Sequence, residues 1–368
     1  MSTLFVGLDV HKNSIVIAVA EAGRDGDVRS IGTIPNTPSD IHKMLKRLSR
    51  NGQSLDCCYE AGPCGYGLHR QILEAGHACR VVAPNRTPLR PGDRVKTDRR
   101  DAIILARMHR AGELEAVWIP DQAHEAMRDL IRTRAAAKLQ EKRMRQQLLS
   151  FLLRHGRFYT AGKQYWTKPH RRWLADQSFE HHAHQIVFQD MVNAVNDAEK
   201  RHADLVKLIS DLVPQWSLRH LVEALCSLRG VNIIAASTIM AETGDLTRFR
   251  TPSQLMAYIG LVPGERSSGD NIRRRGITKA GNTELRRILT QTAWSYRFPA
   301  RVSRVGMEEY DAAPKSVREV AWKAQIRLCQ RYRALIARGK CAQIAIVAIA
   351  RELLAFVWEI GQLVPIRP

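Results

Sequence analysis

The chain has 368 residues, 45% of them hydrophobic, with 57 Lys and Arg against 36 Asp and Glu, for a net charge of +21. That length accommodates two domains whose cores need no covalent staples, and seven cysteines without a Cys-x-x-Cys pair exclude a disulfide or zinc framework and suit a reduced, cytosolic setting. The charge favours polyanionic partners, nucleic acid foremost. The opening residues, MSTLFVGLDVHK, have neither the basic start nor the long apolar run of a secretory signal. The apolar stretch at 341–360 is interrupted by Arg351 and Glu352, so it is expected to be a buried helix, with no membrane partner.

In chain order, short apolar runs at 4–10, 15–20 and 28–34 predict three consecutive strands. Helical spacing over 40–48 with Ser39 as its cap, a strand at 55–59, a helix at 66–75 and a strand at 78–82 follow. After a loop punctuated by Pro84, Pro88 and Pro91, Thr97 is placed to cap a helix from Asp98 to about Arg110. The order is βββαβαβα. On it, Asp9 falls within the end of the first strand, Glu60 ends the fourth, and Asp98 and Asp101 share one face at the start of the last helix. Strand ends and a helix start can present these four acids to one place, the oxygen-rich setting that hard divalent cations take. Taken singly, Asp98 also suits a first turn because it complements the helix dipole.

Residues 121–156 read as one long helix: Met127, Ile131, Ala135 and Leu139 recur at four-residue spacing, followed by Met144, Leu148 and Leu152. Its expected partner is 186–212, where Met191, Val195, Ala198, Leu205, Leu208 and Leu212 carry the apolar pattern of a coiled coil, within the chain or between protomers. Between them, 158–184 sets Tyr159, Tyr165, Trp166 and Trp173 among cations, which suits either a small local core or a platform for unpaired bases. His181, His182 and His184 lack a second set of ligands and read as solvated. Residues 225–241 form two apolar helical segments about the bend Arg229-Gly230-Val231-Asn232, similar to a helix-hairpin-helix, in which amides at a helix start meet a phosphate.

The stretch 264–287, GERSSGDNIRRRGITKAGNTELRR, holds seven Lys and Arg against three acids. Its first half is expected to be a surface loop with Ser267 and Ser268 beside Gly269. A serine hydroxyl aided by metal ions and cations can attack phosphorus. Arg266, Arg273, Arg274, Arg275, Lys279, Arg286 and Arg287, with Gly230, are the candidates for holding nucleic acid. From 285 to 362 the chain is expected to be helical, with Ile288, Leu289, Thr292, Ala293, Ile344, Val347, Ala348, Leu353 and Phe356 on buried faces and Trp294 and Tyr296 in the core.

The motifs GLDVHK at 7–12, YEAGPCGYGL at 59–68 and KTDRRDA at 96–102, followed in order by GDLTRF, AYIGLVP, SSGD, GITKAGN and LRRIL, give the chain a family resemblance. It is similar to the DEDD transposases of bacterial insertion sequences, the bridge-RNA-guided insertion sequence 110 family, relatives of the recombinase that inverts pilin genes. The resemblance implies an α/β plus α architecture. An RNase H-like (RuvC-like) nuclease domain would occupy 1–118, and a long-helix or coiled-coil linker with an insertion 119–220. A mainly helical transposase domain with the helix-hairpin-helix-like element and the serine would occupy 221–368. It implies that Asp9, Glu60, Asp98 and Asp101 hold Mg²⁺, as two ions, and that Ser268, directly before the glycine, is the nucleophile that joins covalently to DNA, with Ser267 as the fallback. The implied partners are donor and target DNA, a structured noncoding guide RNA, and further copies in a homodimer or tetramer, in the bacterial cytoplasm at the nucleoid. The residues alone also leave room for a metal-dependent junction nuclease or RNase H-like hydrolase, and for a non-catalytic nucleic-acid scaffold.

Overall fold

The computed structural model describes residues 3–23, 25–50, 52–84, 97–265, 274–302 and 307–364. They form two compact units, Met1–Ile119 and Pro120–Pro368.

The first unit is built on β1 (Thr3–Val10), β2 (Ser14–Glu21), β3 (Val28–Pro35), β4 (Ser54–Glu60) and β5 (Ala78–Val82), with α1 (Pro38–Leu48), α2 (Gly67–Glu74) and α3 (Asp98–Ala111). The βββαβαβα order is the observed one. The strands lie in the order β3-β2-β1-β4-β5, antiparallel through the first three and parallel from β1 to β4 to β5. Alternation along each strand sorts side chains to two faces. Leu4, Val6, Leu8, Leu55, Cys57 and Tyr59 share a core with Ile41, Met44 and Leu45 of α1 and Leu68 and Ile72 of α2. The opposite face carries smaller groups: Val16, Ala18 and Ala20 pack with Ala102 and Ala106 of α3. Gly7 lies on this face, and a Cβ there would overlap the Ala102 carbonyl and the Ala106 nitrogen. The missing side chain is what lets α3 lie directly across β1.

Helix α1 begins two residues earlier than its spacing predicts. Thr37, not Ser39, is the cap: its hydroxyl accepts from the Asp40 amide and donates to the Asp40 carboxylate, and Pro38 fits the first helical position because it has no amide to satisfy.

Among its described residues, the second unit is helical apart from one small hairpin. It contains α4 (Gln122–Arg154), α5 (Lys168–Ala175), α6 (His182–Leu212), α7 (Arg219–Cys226), α8 (Ile233–Thr243) and α9 (Pro252–Ile259). Strands β6 (Pro263–Glu265) and β7 (Arg274–Ile277) come next, then α10 (Thr283–Ala293), α11 (Met307–Ala312), α12 (Lys315–Ala337) and α13 (Ala342–Leu363). Helix α8, apolar on nearly every side, is buried from Ile234 to Thr243 amid the core of α7, α9, α10, α12 and α13. No helix among the described residues is long and apolar enough to cross a membrane.

Helices α4 and α6 pair along their length, and much of the apolar spacing is buried: Met127, Ile131, Leu148 and Leu152 on α4, and Val195 and Ala198 on α6, with Met144 and Met191 packed beside them. The exceptions fall mid-helix and near the end of α6. Leu139 and Leu208 are about half exposed, at 54% and 49%. The contact also encloses Glu141, which is 2% exposed and meets Arg145 at 2.8 Å, His202 of α6 at 3.0 Å and Lys138 at 3.1 Å. The aromatic residues of 158–184 form a small local core, with Tyr159, Tyr165, Trp166 and Trp173 around the buried ring of His170. On α13 the buried face falls on Ala345, Ile346, Ile349, Leu353, Phe356 and Val357, while Ile344 in the first turn is exposed.

Candidate active site

The parallel register of β1 and β4 pairs Leu8 with Tyr59, so the next residues outward on the two strands are Asp9 and Glu60. Leu8 and Tyr59 face the α1–α2 core, so the pleat sends Asp9 and Glu60 to the α3 side. There the first turn of α3 supplies Asp98 and Asp101, with the Thr97 hydroxyl accepting from the Arg100 amide to fix where the helix starts. The sheet's carboxyl edge, where ligands of open α/β sheets gather, thus carries the acids.

His11 stands between two of them. Its Nε2 is 3.2 Å from Asp9 Oδ2 and 3.5 Å from Asp98 Oδ2. Asp9, His11 and Asp98 each offer a ligand atom, and these atoms all lie within 4.8 Å of one another. Asp101 is near enough for its charge to act on Asp9, and Glu60 ends the neighbouring strand β4. Burial raises the pKa of Asp9, opposed by His11, and the neighbouring charges of Asp98 and Asp101 raise it further. A cation among the acids would relieve that repulsion, and carboxylate oxygens are the donors that hard divalent ions take, so the residues fit a divalent metal. The loop after β4 is fastened beside the site, with the Tyr59 hydroxyl donating to the Gly65 carbonyl at 3.0 Å. Sequence reasoning passed over His11, although it lies in GLDVHK; the available signal was a metal-competent side chain two residues past Asp9, just beyond the strand.

A family profile described as a transposase, of the DEDD type, matches residues 6–156, and one described as the IS116/IS110/IS902 family of transposases matches 222–304. The protein named "Putative transposase y4qE" from Sinorhizobium fredii is 50% identical over 97% of this chain and 88% of its own length. The transposase for insertion sequence element IS1533 of Leptospira borgpetersenii is 31% identical over 92% of this chain and 98% of its own. The chain belongs to the IS116/IS110/IS902 transposase family. It is a DNA transposase, and a pilin gene-inverting protein of Moraxella bovis shares 26% identity with it over 73% of the chain and 67% of that protein.

In this transposase the predicted serine stretch is flanked by the hairpin. Glu265 pairs with Arg274 and Pro263 with Ile277, so residues 266–273 connect β6 to β7. Arg266, Ser267, Ser268 and Arg273 lie outside the described residues, as does the side chain of Arg274. Arg275 and Lys279 are exposed. Lys279 is held in the left-handed region, φ 58°, with its amide donating to the Gly260 carbonyl. Arg286 and Arg287 have other occupations. The Arg286 guanidinium donates to the carbonyls of Ile259, Ala280 and Gly281 and to the Thr283 hydroxyl, bracing the turn between β7 and α10. Arg287 is paired with Glu284, a hydrogen bond that raises its pKa, and donates to Gln291. Gly230 is exposed in the turn between α7 and α8, yet its Cβ position would overlap the Ser295 hydroxyl and the Thr292 carbonyl, so its left-handed backbone also serves internal packing. Asn232 is extended, φ −101°, and caps α8 through the Ala235 amide, so Gly230 rather than Asn232 takes the left-handed conformation.

Proposed function

We propose that this transposase is an RNA-guided DNA recombinase that pairs a DEDD metal site with a serine nucleophile. In this reading 1–118 is a RuvC-like nuclease domain, 119–220 a coiled-coil linker with an insertion, and 221–368 a transposase domain whose α7–α8 turn is helix-hairpin-helix-like. Asp9, Glu60, Asp98 and Asp101 hold Mg²⁺, which when bound polarises the phosphodiester and stabilises charge on the attacking and leaving oxygens. Ser268, or Ser267 in its place, attacks phosphorus. Its Oγ–P bond forms as the DNA P–O bond breaks, and the released DNA oxygen takes up a proton. Attack by another strand's hydroxyl on the phosphoserine reverses the step and rejoins DNA. Arg266, Arg273, Arg274, Arg275 and Lys279 hold the phosphates near the serine.

The observation that supports this reading is the gathering of Asp9, Asp98 and Asp101 at the edge where Glu60 ends its strand, beneath a helix positioned by Gly7. A structured noncoding RNA would choose sequence by base pairing, in keeping with a charge of +21 and no evident base-reading motif. Exposed Leu139 and Leu153 on α4, with Ile186 and Leu208 on α6, support assembly into dimers or tetramers. The setting is the bacterial cytoplasm at the nucleoid.

The test is to incubate the protein with Mg²⁺, its element's RNA and supercoiled DNA, denature, and look for DNA attached to protein. A wild-type adduct that is absent in Ser268→Ala is expected. Hydrolysed ends with no adduct would make the protein a metal-dependent junction nuclease, and full function in Asp98→Ala would make it a scaffold.

A further inference from the structure

We infer that His11 is a direct ligand of the metal site and shifts its preference from Mg²⁺ toward Mn²⁺ and its first-row neighbours. The inference rests on the reading that the acids hold a divalent cation, and adds a nitrogen donor to it.

The geometry carries the argument. Cis donors on an octahedral ion with bonds of about 2.1 Å are about 3.0 Å apart. His11 Nε2 stands 3.2 Å from Asp9 Oδ2 and 3.5 Å from Asp98 Oδ2, near that spacing, and the ligand atoms of the three residues all lie within 4.8 Å of one another. The ring is kept there by its main chain. The His11 amide donates to the Ser14 carbonyl at 2.9 Å, closing the turn between β1 and β2, and Asn36 Nδ2 donates to the His11 carbonyl at 2.8 Å. The position lies just past Val10, the last residue of β1 paired with β2, so the imidazole reaches the acids from beyond the sheet edge and is half exposed. A single ring N–H cannot serve both carboxylates well, whereas a cation bound by all three groups satisfies each of them. For that, Nε2 offers its lone pair and Nδ1 keeps the ring proton.

The donor set decides the ion. Mg²⁺ prefers an all-oxygen shell with several waters, whereas imidazole nitrogen favours first-row transition ions, whose affinities rise from Mn²⁺ onward. A site of carboxylates alone would leave that discrimination weaker.

The experiment uses the full-length chain with Mn²⁺ as the probe. Titration followed by the loss of the free-ion spin-resonance signal gives affinity, and competition with Mg²⁺ gives the preference. Pulsed measurement on the bound ion reads nitrogen coupling directly, and ¹⁵N-histidine labelling identifies its source. Wild type is expected to show histidine nitrogen coupled to Mn²⁺. His11→Ala is expected to lose that coupling and bind Mn²⁺ about tenfold or more weakly, with a much smaller change for Mg²⁺. The bonds that hold the turn come from main-chain atoms of residue 11, so the variant keeps them, and the wild-type coupling is decisive on its own. Mn²⁺ bound in a manner that Asp9→Asn abolishes, but without histidine coupling, overturns the role of His11 alone. Absence of any Asp9-dependent Mn²⁺ binding overturns the metal reading and this inference with it.

Discussion

Gly7 and Ala106 meet backbone to backbone: a side chain on the first would occupy the space of the second's amide nitrogen. The closeness of β1 and α3 therefore depends on one hydrogen atom in place of a methyl group. Gly7→Ala is expected to lift α3, cost about 1–3 kcal/mol as an overpacked contact does, and separate Asp98 and Asp101 from Asp9. Urea unfolding of the full chain checks the first effect. Metal-dependent strand cleavage, expected to fall by about tenfold or more for a displacement near 1 Å, checks the second.

Lys279 sits at φ 58°, a conformation that costs a residue with a Cβ about 1 kcal/mol. Lys279→Gly removes that strain together with a charge beside the serine stretch. The variant is expected to unfold at a slightly higher urea concentration and to bind DNA more weakly, with the salt slope reduced by about one. A variant that is both less stable and unchanged in binding contradicts this.

Glu141 is the buried acid of the α4–α6 pair, surrounded by Lys138, Arg145 and His202. Replacing it with alanine leaves the Lys138 and Arg145 cations without their common partner and the His202 ring without its neighbour, and a loss of about 2–3 kcal/mol is expected. Thermal unfolding measures it, and Glu199, which also pairs with Arg145, keeps the loss from being larger.

His124, His170 and His202 all have their pKa lowered, in each case mainly by burial. The unfolded chain takes up these protons near pH 6.5, the folded chain only at lower pH. Between those limits the unfolded state binds more protons, so stability is full above about pH 6.5 and falls as the solution is acidified. Unfolding midpoints at pH 7.5 and 5.5 should differ in that sense, the protein being the more stable at pH 7.5.

Much of the first unit was legible because its signals are local. Alternation and short apolar runs mark each strand, and Thr97 before Asp98 marks the start of α3. What escaped depends on contacts distant in sequence. Nothing near Gly7 in the chain says that Ala102 and Ala106 will lie on it, and nothing near Asp9 says that a half-exposed histidine will turn toward Asp98. In the second unit, apolar spacing correctly marked two long helices and most of their buried positions but also pointed to Leu139, because periodicity cannot foresee that a buried glutamate will share the contact. Ile344 misled for the related reason that a first turn can end before reaching the core. Arg286 shows the same limit for charge: a cation in a basic run can be consumed by carbonyl oxygens of its own turn.

The acids proposed for the active site come from two kinds of element. Asp9 and Glu60 belong to paired strands, while Asp98 and Asp101 arrive on a helix that reaches them only by settling over Gly7. A chain that has formed its sheet but not yet seated that helix owns half a site. In the proposed mechanism the metal ligands are complete only once α3 is seated, so a cation that takes the full set would favour the seated state by its binding energy.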